Sequence, residues 1–301
     1  RQMCIRDRSV AEKVFEEMLA EQKGKITVLT KRQFNFSDGD LQMTGTKITG
    51  IRVVNRTTGA DEYYSGKIFV DATYEGDLGA AAHVPYRIGR EARWEYNEPG
   101  AGRTYEYWKS DPAEGSTGDA DNAVQAYNYR LCLISDPSQR APFIKPENYN
   151  REEFASLVED VWTGRNTWKM MRGVTKEMME ANRKAIQNGG KSTLPGDGWG
   201  ILKLVTINTL PNGKTDANNQ HAAFISTDLP EENWPWPTSS WEWRDKFAKR
   251  LKDYTLGLFW FAQNDEALPQ SFRDEMKKWG LAKTEYEDNE FFPRQVYVRE
   301  G

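Results

Sequence analysis

The chain of 301 residues is long enough for two domains, and its 38% hydrophobic and 29% charged residues give a globular balance. No apolar run reaches the roughly eighteen residues of a membrane-spanning helix, and a formal charge of −4 with both signs interspersed leaves no basic stripe for a nucleic-acid backbone. Two cysteines, Cys4 and Cys132, and two histidines, His83 and His221, exclude a disulfide framework, a four-cysteine cluster and a histidine-rich metal centre.

Residues 1–8, RQMCIRDR, have neither a signal-peptide apolar core nor a helical period. They read as a non-native leader and are set aside from the fold; both ends read as truncations, which leaves localisation unread. From Ser9 to Gln22, Val10, Val14, Phe15, Met18 and Leu19 recur at helical spacing, with Ser9 and Glu12 forming a capping box and Gly24 ending the helix. Ile26–Leu29 is expected as a short strand. Phe34–Phe36, Leu41–Met43, Ile48–Val54 and Glu62–Tyr64 follow as antiparallel strands between the turns Asp38-Gly39, Gly45 and Thr58-Gly59. Lys67–Asp71 is a further strand and Glu75–His83 a small-residue helix. This start suits a parallel α/β sheet interrupted by a meander.

Arg87–Asp121, rich in Gly, Pro and acidic residues, reads as a long ordered loop. Beyond it the pattern predicts strands at Val124–Ile134, Leu202–Leu210 and Gln295–Val298. Helices are predicted at Arg151–Trp162, Lys176–Gln187, Trp241–Asn264 and Gln270–Trp279. The long helix carries Phe247, Leu251, Tyr254, Leu258 and Phe261 on one stripe.

Two motifs carry chemistry. Val70-Asp71-Ala72-Thr73-Tyr74-Glu75-Gly76-Asp77-Leu78 is a strand ending in small residues that opens a helix. Small side chains admit a dinucleotide to the backbone, and free amides at the helix start offer an anion site. The plain alternative is an ordinary strand–turn–helix in which Asp77 caps its own helix. Asn208 to Asn219 gathers four asparagines, Lys214 and Asp216. Such a cluster can orient a polar substrate or stabilise an anionic reduced ring, or it is an Asn-Gly hairpin turn whose side chains satisfy themselves. His221 is a candidate general base or a structural histidine, and His83 a packing or helix-end residue. Arg87, Arg90 and Arg93, spaced in threes, meet a pyrophosphate or an acidic substrate, or form a solvated face. Seven of eleven tryptophans follow residue 198. Trp234, Trp236, Trp241 and Trp243 line a sugar-stacking surface or pack a rigid loop.

The stretch FVDATYEGDLGAAAHVPY (residues 69–86) closely resembles a segment of the FAD-dependent oxidoreductase family distantly related to the flavoprotein subunit of heterodisulfide reductase, whose members include loosely named xanthan lyase-like proteins. INTLPNGKTDANN (207–219), DYTLGLFWFAQNDEAL (253–268) and FPRQVYVRE (292–300) resemble further family segments in family order. The resemblance implies an α/β fold: a partial Rossmann-like FAD-binding domain of the glutathione-reductase type over 9–86 and 291–301, with an inserted α+β substrate or cap domain over 87–290. It implies FAD as cofactor and hydride transfer with a small-molecule or carbohydrate-like substrate, the electron acceptor being unread. Cofactor contact then falls to Val28 (through its backbone, unless it is a core valine), Ala72, Thr73, Asp77 and Arg90, and catalysis to Lys214, Asp216, Asn218 and His221. The family's GxGxxG turn has no counterpart here, so weak FAD binding by this stretch alone is expected. Nor do the cysteines support the 4Fe-4S cluster of some relatives. The rival reading is a carbohydrate-binding or polysaccharide-processing module built on the Trp-rich half.

Overall fold

The computed structural model describes residues 7–105, 112–167, 171 and 173–299. Most of the leader, Cys4 with it, and the last two residues lie outside them. α1 spans Arg8–Glu21 and ends near Gly24, as the periodicity predicts. Its cap is Asp7 rather than Ser9: the Asp7 carboxylate accepts from the Val10 amide. No α1 residue is fully buried: Val10 and Val14 are half-buried, while Phe15, Met18 and Leu19 of the stripe stand exposed.

β1 (Arg32–Gln33), β2 (Leu41–Thr44), β3 (Lys47–Asn55) and β4 (Asp61–Ser65) form an antiparallel sheet. β3 is its hub. It pairs with β4 along one edge, and with β2 and then β1 along the other. The expected turns hold positive-φ glycines at Gly39, Gly45 and Gly59.

The expected parallel sheet is corrected. Residues 26–29 and 67–71 form no strand, and every strand pair among the described residues is antiparallel. Their β-forming side chains have no neighbouring ladder to join, and a strand exists only through its ladder. Val28, Leu29, Ile68 and Val70 therefore stand 57%, 45%, 83% and 79% exposed. The core-valine reading of Val28 falls with them. The small-residue helix shrinks to α2, Asp77–Ala81. His83 follows it at φ 59°, exposed, so it is not a packing residue.

After α3 (Arg93–Tyr96), the main body is a second antiparallel sheet. It comprises β5 (Leu131–Ile134), β6 (Arg140–Ala141), β7 (Val205–Thr209), β8 (Lys214–Asn219) and β9 (Gly280–Ala282), in the order β6-β9-β5-β8-β7. The predicted strand at 124–134 is thus confined to its last four residues. The one at 202–210 begins instead as a helical turn, α6, at Ile201–Leu204. The helices are α4 (Ser156–Thr163, entered through a 3-10 turn), α5 (Lys176–Gln187), α7 (Trp241–Asn264) and α8 (Gln270–Met276). α7 keeps its predicted bounds, and Phe247, Leu251, Tyr254, Leu258 and Phe261 are all buried on it. They join Leu131, Leu133, Phe143, Phe154 and Leu281 in one continuous core, where Phe143 stacks on Phe259 at 4.3 Å. Tyr297 of the C-terminal segment bridges Asn128, and Val296 and Val298 lie in the same core.

Candidate functional site

β8 alternates. Thr215 and Ala217 face the core side, while Lys214, Asp216 and Asn218 point to the other face beside Cys132 of β5. β7 and β8 turn through Asn212 (φ 61°) and Gly213 (φ 74°), the Asn-Gly hairpin that the sequence offers as one alternative. Lys214 is 2% exposed, and its ammonium lies 2.7 Å from Asp7 and 2.5 Å from Glu285. Burial pulls this lysine down, but the hydrogen bonds and charges of the two carboxylates outweigh it and hold its pKa above the ordinary value. Burial likewise pushes Asp7 up, and Lys214, Ser9 and Asn212 overcome this to hold it at about 2.

Asp216 is clasped by Arg8 and by Arg130, whose Nε donates at 3.1 Å. The Asn218 side-chain oxygen accepts from Asn128 at 2.6 Å. Setting Asp7 and Arg8 apart from the fold is therefore corrected: they anchor α1 to β8. Burial pushes the Cys132 thiol up to about 12, so it is no nucleophile. His221 sits exposed beyond the strand end, and its carbonyl accepts from the Thr167 hydroxyl. The structure gathers three of the four catalytic candidates on one face and leaves His221 apart. None of the four lines the two principal cavities.

The larger cavity, about 540 Å³, opens between the first sheet and the motif. Thr73, Asp77 and Leu78 line it from the motif side, Ile51 and Val53 from β3, and Phe34 and Trp241 from two further segments. The Trp241 indole donates to the Phe34 backbone carbonyl at 3.0 Å, which fixes the indole against that segment. Lys31, Arg32 and Arg56 supply positive charge. Arg32 is bidentate on Glu62 and Arg56 pairs with Asp245, whereas Lys31 has no ion pair among the described residues. Ala72 lies exposed between lining residues Asp71 and Thr73, and Val28 adjoins lining residue Leu29.

Two expectations about this motif change. Asp77 caps nothing; its carboxylate accepts from the two terminal Arg244 nitrogens at 2.6 and 2.9 Å. The amides at the start of α2 are not free either. Asp71 accepts from Leu78 and Gly79 at 3.0 and 3.2 Å, supplying an internal anion where an external one was expected. Burial raises the Asp71 carboxyl, but bonds from Thr73 and from these amides lower it further than burial lifts it.

Arg244 itself is fully buried. It donates to the Trp236 and Pro237 carbonyls and faces the Phe36 and Trp241 rings at 5.1 and 4.9 Å. Sequence reading missed it, although a signal was present: Arg244 lies three residues before Phe247, on the apolar stripe of α7, where a charge needs a partner.

Arg90 is not in this cavity. It is bidentate on Asp121 and lines a smaller one of about 390 Å³. Arg87 pairs with Glu95 on the surface. Of the tryptophans offered to a sugar, Trp236 is 4% exposed against Tyr127 and Phe247, and Trp243 stacks on Phe247. Both rings are used in packing. Among the described residues, no group of three or more His, Cys, Asp or Glu could hold a metal, and no helix is long and apolar enough to cross a membrane.

The larger cavity fits the nucleotide end of a flavin: aromatic and aliphatic walls for a ring, small residues at its edge, and Lys31, without an ion pair among the described residues, for phosphate. Neither the curated proteins nor the solved structures contain a match to the chain. The model of the family described as FAD dependent oxidoreductase matches residues 1–301. The chain belongs to the FAD dependent oxidoreductase family, and its cofactor is FAD.

Proposed function

We propose that the adenosine end of FAD lies in the 540 Å³ cavity between the first sheet and the 70–78 motif, with Lys31 meeting the pyrophosphate. The observation that carries this reading is the convergence of Thr73 and Asp77 with Lys31, which has no ion pair among the described residues, on one apolar-walled cavity. Phe34 and Trp241 wall the ring and exclude water. The buried Arg244–Asp77 pair holds α2 against α7 and so keeps the cavity open. FAD, when bound, supplies a hydride acceptor and donor for a small-molecule substrate. Residues 9–86 then serve as the nucleotide-binding part of the flavin domain, built here on an antiparallel sheet, and residues 87–290 as the substrate side, in keeping with the resemblance to relatives of the heterodisulfide reductase flavoprotein. In this reading Lys214 and Asp216 are positioning residues that fix α1, Asn218 holds Asn128, and none of the three touches the flavin.

Flavin titration followed by fluorescence tests this. Lys31→Glu and Lys31→Gln are exposed changes that leave melting unchanged. Each weakens FAD binding, the reversal by roughly tenfold or more, since it removes one charge-assisted phosphate contact. ADP competes with FAD in the parent protein. FAD affinity equal in all three proteins would overturn the placement.

A further inference from the structure

The smaller cavity has a charge pattern that the flavin reading does not use. Gly89 lets two segments touch, since a Cβ there would lie 2.2 Å from the Asp121 carbonyl oxygen. The contact is sealed by paired backbone bonds between Arg90 and Asp121 and by the bidentate ion pair of the same residues. Asp121 also accepts the Ala123 amide at 3.1 Å. Arg90 and Asp121 thereby neutralise each other.

Two charges on the lining remain. Arg103 also pairs with Asp121, at 3.6 Å, without a hydrogen bond to it, so two cations share one carboxylate and one positive charge is in excess. Glu231, held at φ 73° and exposed, has no ion pair or side-chain hydrogen bond there either. The same cavity is lined by apolar side chains as well, buried Val124 and half-buried Trp234 among them.

The geometry points to a binding site for a zwitterionic amino acid with an apolar side chain. Its carboxylate meets Arg103, its ammonium meets Glu231, and its side chain lies on Trp234 and Val124. A plain acid would face repulsion from Glu231 and a plain amine repulsion from Arg103, so the zwitterion alone satisfies both charges. The 390 Å³ volume is in the range of small-molecule sites.

Isothermal titration with excess FAD present, so that the larger cavity is taken, tests this directly. L-phenylalanine is compared with 3-phenylpropionate and phenethylamine, on the parent protein and on Arg103→Gln and Glu231→Gln. We expect L-phenylalanine to bind at least roughly tenfold more tightly than either singly charged analogue, the difference made by one charge-assisted hydrogen bond. Each variant loses that margin while its melting temperature holds. No heat with L-phenylalanine at millimolar concentration overturns the site, as does equal binding of 3-phenylpropionate. Binding that survives both variants unchanged does so too.

Discussion

Between Leu131 and Val298 the protein is held by packing, with Leu131, Leu133, Leu258, Phe259 and Phe261 fully buried. Between Arg8 and Tyr86 the only buried hydrophobic residue is Val53, at 6%. There, beside the β1–β4 hydrogen-bond ladder, the side-chain cross-links are ionic: Arg52 holds Asp40, Arg32 holds Glu62, Arg244 reaches across to Asp77, and Lys214 to Asp7. One chain thus contains a region whose stability follows apolar area and another whose stability follows charge. The second is the one that forms the proposed flavin cavity, and charge pairs are directional where apolar packing is not.

The strongest test of this contrast is Arg244→Met. It leaves Asp77 buried without its partner and should cost about 3–5 kcal/mol, read by urea unfolding, with FAD affinity falling alongside. Asp77→Asn in the same background should recover part of the loss, because no naked charge remains. Leu258→Ala on α7 should cost about 3 kcal/mol through transfer and cavity terms and should spare the 7–86 amides in hydrogen exchange below global unfolding.

Acid separates the regions further. Asp7 and Glu62 are each held at about 2, the latter by Arg32, Tyr64 and Asn55, against ordinary values of 3.8 and 4.5. Because the folded values are depressed, their contribution is complete above the ordinary values and drains away as pH falls through about 2. Pepsin digestion at stepwise lower pH, followed by mass spectrometry, should therefore cut within residues 7–86 before it cuts α7. The smallest effect is expected at Ile68→Ser. At 83% exposure the change should lie within about 0.5 kcal/mol, and a larger loss would mean that this surface is covered in solution.

The same contrast decides what could be read beforehand. α7 was legible to both ends because its stripe and its Ser240 cap are local features, and β2 to β4 were legible because alternation and turn glycines are local too. The 26–29 and 67–71 segments have strand composition, but whether a strand forms depends on a partner ladder, which composition does not encode. β9 went unread because three residues, Gly280 to Ala282, give no period. Of the residues lining the proposed flavin cavity, Thr73 and Asp77 belong to the small-residue motif that the sequence singles out. Lys31, Phe34 and Trp241 were not legible, since they meet the motif only in the folded chain. Asp77 and Arg244 are 167 positions apart, and no spacing rule links them.

The alternation of β8 has a consequence for assembly. Sliding this strand by one position against β5 would turn Lys214 and Asp216 into the hydrophobic core and bring Thr215 and Ala217 out against Asp7, Glu285 and Arg130. Each misplaced charge would be buried with nothing to answer it, at a cost of several kcal/mol. The paired charges thus act as a ratchet on strand alignment: each one-residue slip of the hairpin is closed off.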